Sequence, residues 1–192
     1  KVVGEEIVRS YASASGLQAA VIRPSGIVSG EAILDRWSVG FVSSILKVGK
    51  NNPEGELYRK DLGEPWVELE KIAESNDQPC AATGPDGKPW VYQLVDARDV
   101  AHGLVCAMES DAANGEAFNI SAPTPITYAE AAAVMSEVSG MPVLEYRAPV
   151  RWVYDCDNTK ARTWIGYQPK WGVREMIMDA LAIRAGEADG FS

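Results

Sequence analysis

The chain of 192 residues is 46% hydrophobic and 23% charged, with a formal net charge of −9. That apolar content supports a buried core in one domain or two small lobes and excludes a disordered chain. The acidic balance excludes a basic nucleic-acid face, and the apolar runs fall well short of the roughly 18 residues that a membrane-spanning helix needs.

Residues 1–15 read as an amphipathic helix, with Val3, Ile7, Val8, Tyr11 and Ala14 on one face. Glu5 stands four residues before Arg9, the spacing of a supporting ion pair. Gly16 suits the residue after a helix, and a strand over Ala19–Ile22 follows. Arg23-Pro24-Ser25-Gly26 ends that strand, because Pro removes a ladder donor and Gly permits a bend. A helix over 32–48 is predicted from Ile33, Trp37, Phe41, Ile45 and Leu46, and another over 64–75 with Pro65 in its first turn.

"TGPDGKP" (83–89) is a turn, and Trp90 to Val95 alternates like a strand. A helix follows over 97–110, then a short strand over Ala117–Ile120. Thr127 and Glu130 have the spacing of a capping box opening a helix that ends at Gly140. Leu144–Arg147 reads as a strand, Asp157 as a cap for a helix over 158–164, and 173–185 as a last amphipathic helix. This order predicts an α/β chain with a helical lobe.

The residues available for chemistry are few. Cys80, Cys106 and Cys156 form no C-x-x-C pair and read as reduced thiols of a cytoplasmic protein. His102 is the sole histidine and lies in an apolar helical run, which points to a structural role and leaves neither a metal cage nor a Ser-His-Asp triad.

Four stretches, in this order and spacing, carry a resemblance. They are "KVVGE" with "IRPSGIVSG" about twenty residues later, "LVDARDVAHGLVCAME", "GEAFNIS" just before "TYAE", and "DCDNTKARTWIGYQP". Together they resemble the second half of an extended short-chain dehydrogenase/reductase, the NAD-dependent epimerase/dehydratase family, along essentially the whole chain. The resemblance implies the C-terminal part of a Rossmann-like, doubly wound parallel sheet with a smaller, mainly helical substrate-binding lobe. Residues 1–30 and 97–121 would supply the sheet elements, and 31–96 and 122–192 the lobe. No Gly-x-x-Gly-x-x-Gly turn occurs in the chain, so that fingerprint is expected upstream.

In the family a Tyr-x-x-x-Lys motif opens the helix before the Arg-Pro strand end. Lys1 matches the lysine, and Glu5 matches an acidic residue often found four positions later. The catalytic tyrosine would then precede Lys1 by four positions. Residues four apart share a helix face, so Lys1 would lower the phenol's pKa and hold the nicotinamide ribose of NAD or NADP. Pro24, Ser25, Gly26 and Ile27 correspond to the turn whose backbone faces the nicotinamide carboxamide. Asp99 and Asn119 read as structural braces, and Asp157 and Lys160 as a cap and a surface charge.

Sugar-nucleotide members of the family commonly carry an Arg before the "VDARDVA" stretch. Here the neighbourhood is Trp90-Val91-Tyr92-Gln93, with no Arg before Arg98. Arg147 and Arg151 are the residues left for substrate anion contacts, and a less charged small-molecule substrate also fits the six tryptophans. The implied reaction is oxidation or reduction at a hydroxyl or carbonyl carbon, as an epimerase, dehydratase or reductase. The chain by itself is expected to be inactive and to bind dinucleotide poorly. A catalytically inactive dinucleotide-sensing or scaffold protein is the alternative of another class. An unrelated α/β domain is a third, which strands near 19–22 and 117–120 lying in separate sheets would favour. Family members often dimerise through the first helix, here with the apolar residues of 2–14.

Overall fold

The structure, a computed structural model, describes residues 2–188. In chain order the elements are α1 (Val2–Ser15), β1 (Val21–Pro24), β2 (Gly26–Val28), a 3-10 turn (Gly30–Ile33), α2 (Val39–Asn51), α3 (Pro65–Ile72), β3 (Cys80–Thr83), β4 (Val91–Tyr92) and β5 (Leu94–Asp96). Then come α4 (Ala97–Glu109), a 3-10 turn (Asp111–Ala113), β6 (Ala117–Ile120), β7 (Ile126–Thr127), α5 (Tyr128–Ser139), β8 (Leu144–Arg147), β9 (Val153–Tyr154), α6 (Thr159–Trp164) and α7 (Val173–Ala185). Two compact units divide the described chain, one of residues 2–28, 93–124 and 156–172, the other of 29–92, 125–155 and 173–188.

The first unit is built on parallel pairs. β1 runs beside β6, from Val21 opposite Ala117 to Pro24 opposite Ile120, and β2 runs beside β5 from Gly26 opposite Leu94. The strands near 19–22 and 117–120 are therefore direct partners, and the separate sheets that would favour an unrelated domain are not what the structure shows. Parallel strands need covered faces. Phe118, Ile120 and Val95 supply the buried side, packed with Ala107 of α4 and with Ala161, Ile165 and Tyr167 around α6. The segment 156–172 thus belongs with β1 although it is distant in sequence.

The second unit pairs β3 with β8 in parallel, and places β4 between β7 and β9. Its core holds Trp37, Leu46, Leu69, Trp90, Tyr128 and Ile177, all fully buried. The expected capping box opens α5, with Thr127 Oγ1 accepting from Glu130 N at 3.2 Å and Glu130 Oε2 accepting from Thr127 N at 2.9 Å. Gly140 closes the same helix in the left-handed region (φ 73°), which a side chain would resist.

Four local expectations are corrected. The helix predicted over 32–48 starts only at Val39, because Ser38 is extended and its hydroxyl caps Phe41 N at 3.2 Å. The apolar spacing of Ile33 and Trp37 spans a 3-10 turn and a break. The helix predicted to run to 75 ends at Ile72, where Ala73 takes an extended conformation. The strand expected from Trp90 to Val95 is two strands that part at Gln93, the first residue of its segment in the first unit. Glu5 does not pair with Arg9. Its carboxylate takes Arg23 of β1, with Arg23 Nε at 2.9 Å, while Arg9 pairs with Glu6 at 3.0 Å.

Candidate functional site

The expected nicotinamide turn lies where one strand exchanges partners. β1 follows β6 as far as Pro24, and Ser25 N donates the last bond to Ile120 O at 2.9 Å. From Gly26 the chain pairs with β5 instead. Ser25 is thus the last donor to β6, and the exchange of partners falls between Ser25 and Gly26. The carboxyl ends of β1 and β6 meet here, the edge at which open α/β sheets bind ligands.

Ser25 is buried, yet its Oγ has no hydrogen-bond partner among the described residues. Ile27 is 50% exposed although it belongs to a strand. The turn therefore combines a spare polar atom with an open apolar side chain. The first residue of the chain, Lys1, lies outside the described residues.

The floor below the turn is a polar network that sequence reasoning missed. Ser121 Oγ donates to Cys156 O at 3.0 Å and accepts from Asn158 Nδ2 at 3.1 Å. Gln93 Nε2 donates to Ala122 O at 2.9 Å, and its Oε1 accepts from Cys156 N at 2.8 Å. Tyr167 Oη donates to Ser121 O at 2.9 Å. Burial is the main cause that pushes the Tyr167 phenol upward, so it stays a neutral donor. These bonds fix the chain after β6. The sequence signal was a buried-type Gln inside an alternating strand and a lone Asn in "CDNTK".

The expected braces are in place. Asn119 Nδ2 donates to Asp157 O at 3.0 Å, and Asp157 Oδ1 accepts from Thr159 N at 2.8 Å; the Thr159 side chain and then this backbone bond hold the Asp157 carboxyl below the usual range. Asp96 caps α4 through Arg98 N at 2.8 Å, and Arg98 lies over the Trp171 ring at 3.4 Å. His102 is structural: Gln168 N donates to its Nε2 at 3.3 Å, and its ring tilts against Tyr167 at 5.8 Å. Lys160 is more than a surface charge, since it donates to Glu116 at 2.6 Å and sits 4.9 Å from both the Phe118 and Trp164 rings.

Arg147 and Arg151 come together in the second unit beside the 85–89 turn. Each donates to a turn carbonyl, Arg147 to Pro85 O and Arg151 to Pro89 O at 3.2 Å. Arg147 also lines a groove of about 530 Å³ with Tyr146, Glu64 and Glu68, whose carboxylates oppose an anion there. No cluster of three or more potential metal ligands occurs among the described residues.

Comparison with known proteins agrees with this geometry at the level of the fold. The chain matches no protein-family model and no curated protein sequence. Among solved structures it is similar to a short-chain dehydrogenase/reductase superfamily protein from Agrobacterium tumefaciens with bound NAD, at a TM-score of 0.79 and 19% identity over 97% of this chain and 56% of that one. It is also similar to UDP-glucuronic acid 4-epimerase from Bacillus cereus, in complex with UDP-glucuronic acid and NAD (TM-score 0.60, 13% identity, 96% and 51% covered). RMD from Pseudomonas aeruginosa complexed with NADPH is a third (0.58, 12%, 95% and 53%). The chain has the Rossmann-type α/β fold of the matched part of these proteins. It spans about half of their length. No helix among the described residues is long and apolar enough to cross a membrane.

Proposed function

We propose that these residues form the nicotinamide-facing turn and the substrate lobe of an NAD(P)-dependent epimerase, dehydratase or reductase acting on a hydroxyl or carbonyl carbon. The observation that carries this reading is Ser25, buried and unpartnered at a strand-partner exchange beside exposed Ile27. A structural serine would have found a bond, because an unpaired buried hydroxyl costs stability. Likeness to proteins solved with NAD or NADPH supports the same assignment.

Bound nicotinamide would supply hydride transfer at the reacting carbon. Pro24, Ser25, Gly26 and Ile27 would hold its carboxamide and cover its ring. Lys1 would hold the ribose hydroxyls and keep a neighbouring phenol acidic, with that tyrosine expected four positions before it by family resemblance. Arg147 and Arg151 are assigned a secondary part as anion contacts, through guanidinium N–H groups beyond those given to Pro85 and Pro89.

The homodimer proposed through α1 is supported by its outer face, where Val3 is 72% exposed and Ile7 and Tyr11 are similarly open. α1 buries none of its described residues.

The test uses the protein as its gene encodes it, titrated with NADH and NADPH and followed by nicotinamide fluorescence. Ser25→Ala should weaken binding about three- to tenfold, the worth of one hydrogen bond. Failure of both nucleotides to bind, or an unchanged affinity in Ser25→Ala, overturns the reading. Binding without turnover of any hydroxyl or carbonyl substrate would favour a dinucleotide sensor instead.

A further inference from the structure

The first helix is held to β1 by charge rather than by core packing. α1 buries none of its described residues, and a groove of about 350 Å³ is lined jointly by its Val8, Ala12 and Gly16 and by Val21 of β1. Arg9 pairs with Glu6, and Ser15 Oγ donates to Tyr11 O at 2.7 Å, so both bonds stay inside the helix. Glu5 is different. Its two carboxylate oxygens take Arg23 fork to fork, Oε1 from Nε at 2.9 Å and Oε2 from Nη2. The Glu5 side chain is only 17% exposed, against 48% for Arg23, so the acid is shielded from water. An exposed single-point ion pair holds little, whereas a two-point guanidinium–carboxylate contact fixes orientation as well as distance.

The direction of the helix gives that contact a consequence. The later part of α1 lies beside the start of β1, where Val21 shares the groove with Ala12 and Gly16. Glu5, near the helix start, meets Arg23, near the end of β1. The two elements are therefore antiparallel, and the start of α1 lies toward the Pro24–Ile27 turn. Arg23 immediately precedes that turn, and Glu5 stands four positions after Lys1 in the sequence. One ion pair thus joins the helix and the strand assigned above to the nicotinamide ribose and the carboxamide.

We propose that Glu5 and Arg23 are positioning residues, whose ion pair sets the helix after Lys1 against the strand end that carries Pro24, Ser25, Gly26 and Ile27. The inference rests on the dinucleotide reading above and adds which residues fix its geometry. Breaking the pair leaves the buried core intact, because neither residue belongs to it. It frees the helix to shift against the turn, and a small misplacement of two groups that grip one ligand weakens the grip. The adenosine half of the dinucleotide, expected on the upstream Gly-rich turn, is unaffected.

The test titrates the same full protein with NADH or NADPH, whichever it binds more tightly, and with the matching adenosine half, ADP or its 2′-phosphorylated form. Glu5→Gln and Arg23→Gln should each weaken the dinucleotide about threefold or more, the loss expected for a part-exposed charge-assisted pair. Affinity for the adenosine half should not change, and the melting temperature of the free protein should move by less than about 4 °C. The double variant should bind the dinucleotide no more weakly than the worse single one, because both changes break one contact. Arg23→Lys keeps the charge without the fork and should show a smaller loss of the same kind, and it serves if Arg23→Gln does not fold. Dinucleotide affinity unmoved by these variants overturns the proposal. So do parallel losses of the dinucleotide and its adenosine half, which mark a merely structural pair, or additive losses in the double variant. Ser25→Ala separates the two claims. A dinucleotide affinity that falls in Ser25→Ala but holds in the Glu5 and Arg23 variants sinks the positioning role alone, and a parent that binds neither NADH nor NADPH sinks the dinucleotide reading.

Discussion

The carboxylate of Asp99 accepts the backbone N–H of Lys170 on both its oxygens, at 3.0 and 3.2 Å, and Oδ2 also takes Trp171 N at 3.0 Å. Asp99 is only 2% exposed, so one side chain in the first turn of α4 anchors the segment that follows α6. Asp99→Ala strands two backbone donors, and the expected loss is about 1–3 kcal/mol, more if water cannot reach them. Urea unfolding of the variant against the parent measures it. A midpoint within error of the parent would show that the bonds contribute nothing.

Ser25 gives a prediction of opposite sign. Its hydroxyl is buried and unpaired, so Ser25→Ala removes a desolvated group and leaves the volume nearly unchanged. The nucleotide-free variant should be as stable as the parent or up to about 1 kcal/mol more stable, while nucleotide affinity falls. Differential scanning calorimetry without nucleotide reads the first half. A clear loss of stability there would mean that Ser25 holds the fold rather than a ligand.

Alkaline pH should destabilise the protein. Burial pushes the Cys80 thiol up to about 12, and burial with the charges of Glu68 and Cys80 pushes the Tyr146 phenol up to about 12. Tyr128 and Tyr167 shift the same way, chiefly by burial. Each group keeps its proton in the folded chain and releases it once unfolded. Their stabilisation is therefore complete below the unfolded thiol pKa near 9 and is lost as pH rises from there toward 12. The melting temperature should fall across that window. Cys80→Ala should flatten the first part of it, between the ordinary thiol and phenol ranges, by up to about 1.4 kcal/mol per pH unit. Native-state alkylation at pH 8 should spare Cys80 as well.

The capping box at Thr127 and Glu130 makes a smaller claim. Thr127→Ala removes the acceptor for Glu130 N and should cost about 1 kcal/mol. Hydrogen bonds from the Thr127 hydroxyl and backbone hold the Glu130 carboxyl below its usual range. Its contribution is then present above the ordinary carboxylate pKa and lost as pH falls through the depressed one. Chemical denaturation of the variant at neutral and acid pH checks both points, because the difference from the parent should shrink in acid.

Elements with a strong local pattern were legible in the sequence. α1, α4, α5 and α7 follow from their apolar period and caps, and the parallel partnership of β1 with β6 accords with the motif order. Two of the boundary errors share a cause. At Ser38 and at Gln93 a single residue trades ladder or helix geometry for a side-chain bond, Ser38 to Phe41 N and Gln93 to Ala122 O and Cys156 N. No apolar period registers such a trade. Glu5 illustrates the same limit in electrostatics, since its nearest cation in sequence lost to Arg23 on an adjacent strand. At the candidate site Pro24 and Gly26 announced the turn. The missing partner of the Ser25 hydroxyl, like that of Tyr128, is a property of three-dimensional surroundings alone.

Gly103 tests the packing under that turn. A Cβ built there would lie 2.9 Å from Ile120 Cδ1 and 3.1 Å from its Cγ1, so α4 approaches β6 more closely than an alanine permits. Helix propensity favours Gly103→Ala by about 1 kcal/mol, but Ile120 is fully buried and has little room to yield. Overpacking of a dense core costs about 1–3 kcal/mol, so the net effect should be destabilising. Ile120→Val removes the Cδ1 atom and alone should cost about 0.5–1.5 kcal/mol. Because both changes address one contact, the double variant should be more stable than the sum of the single losses, by at least about 0.5 kcal/mol. Strict additivity in a denaturant double-mutant cycle would place the clash elsewhere and break the link between α4 and the strand that ends at the Ser25 turn.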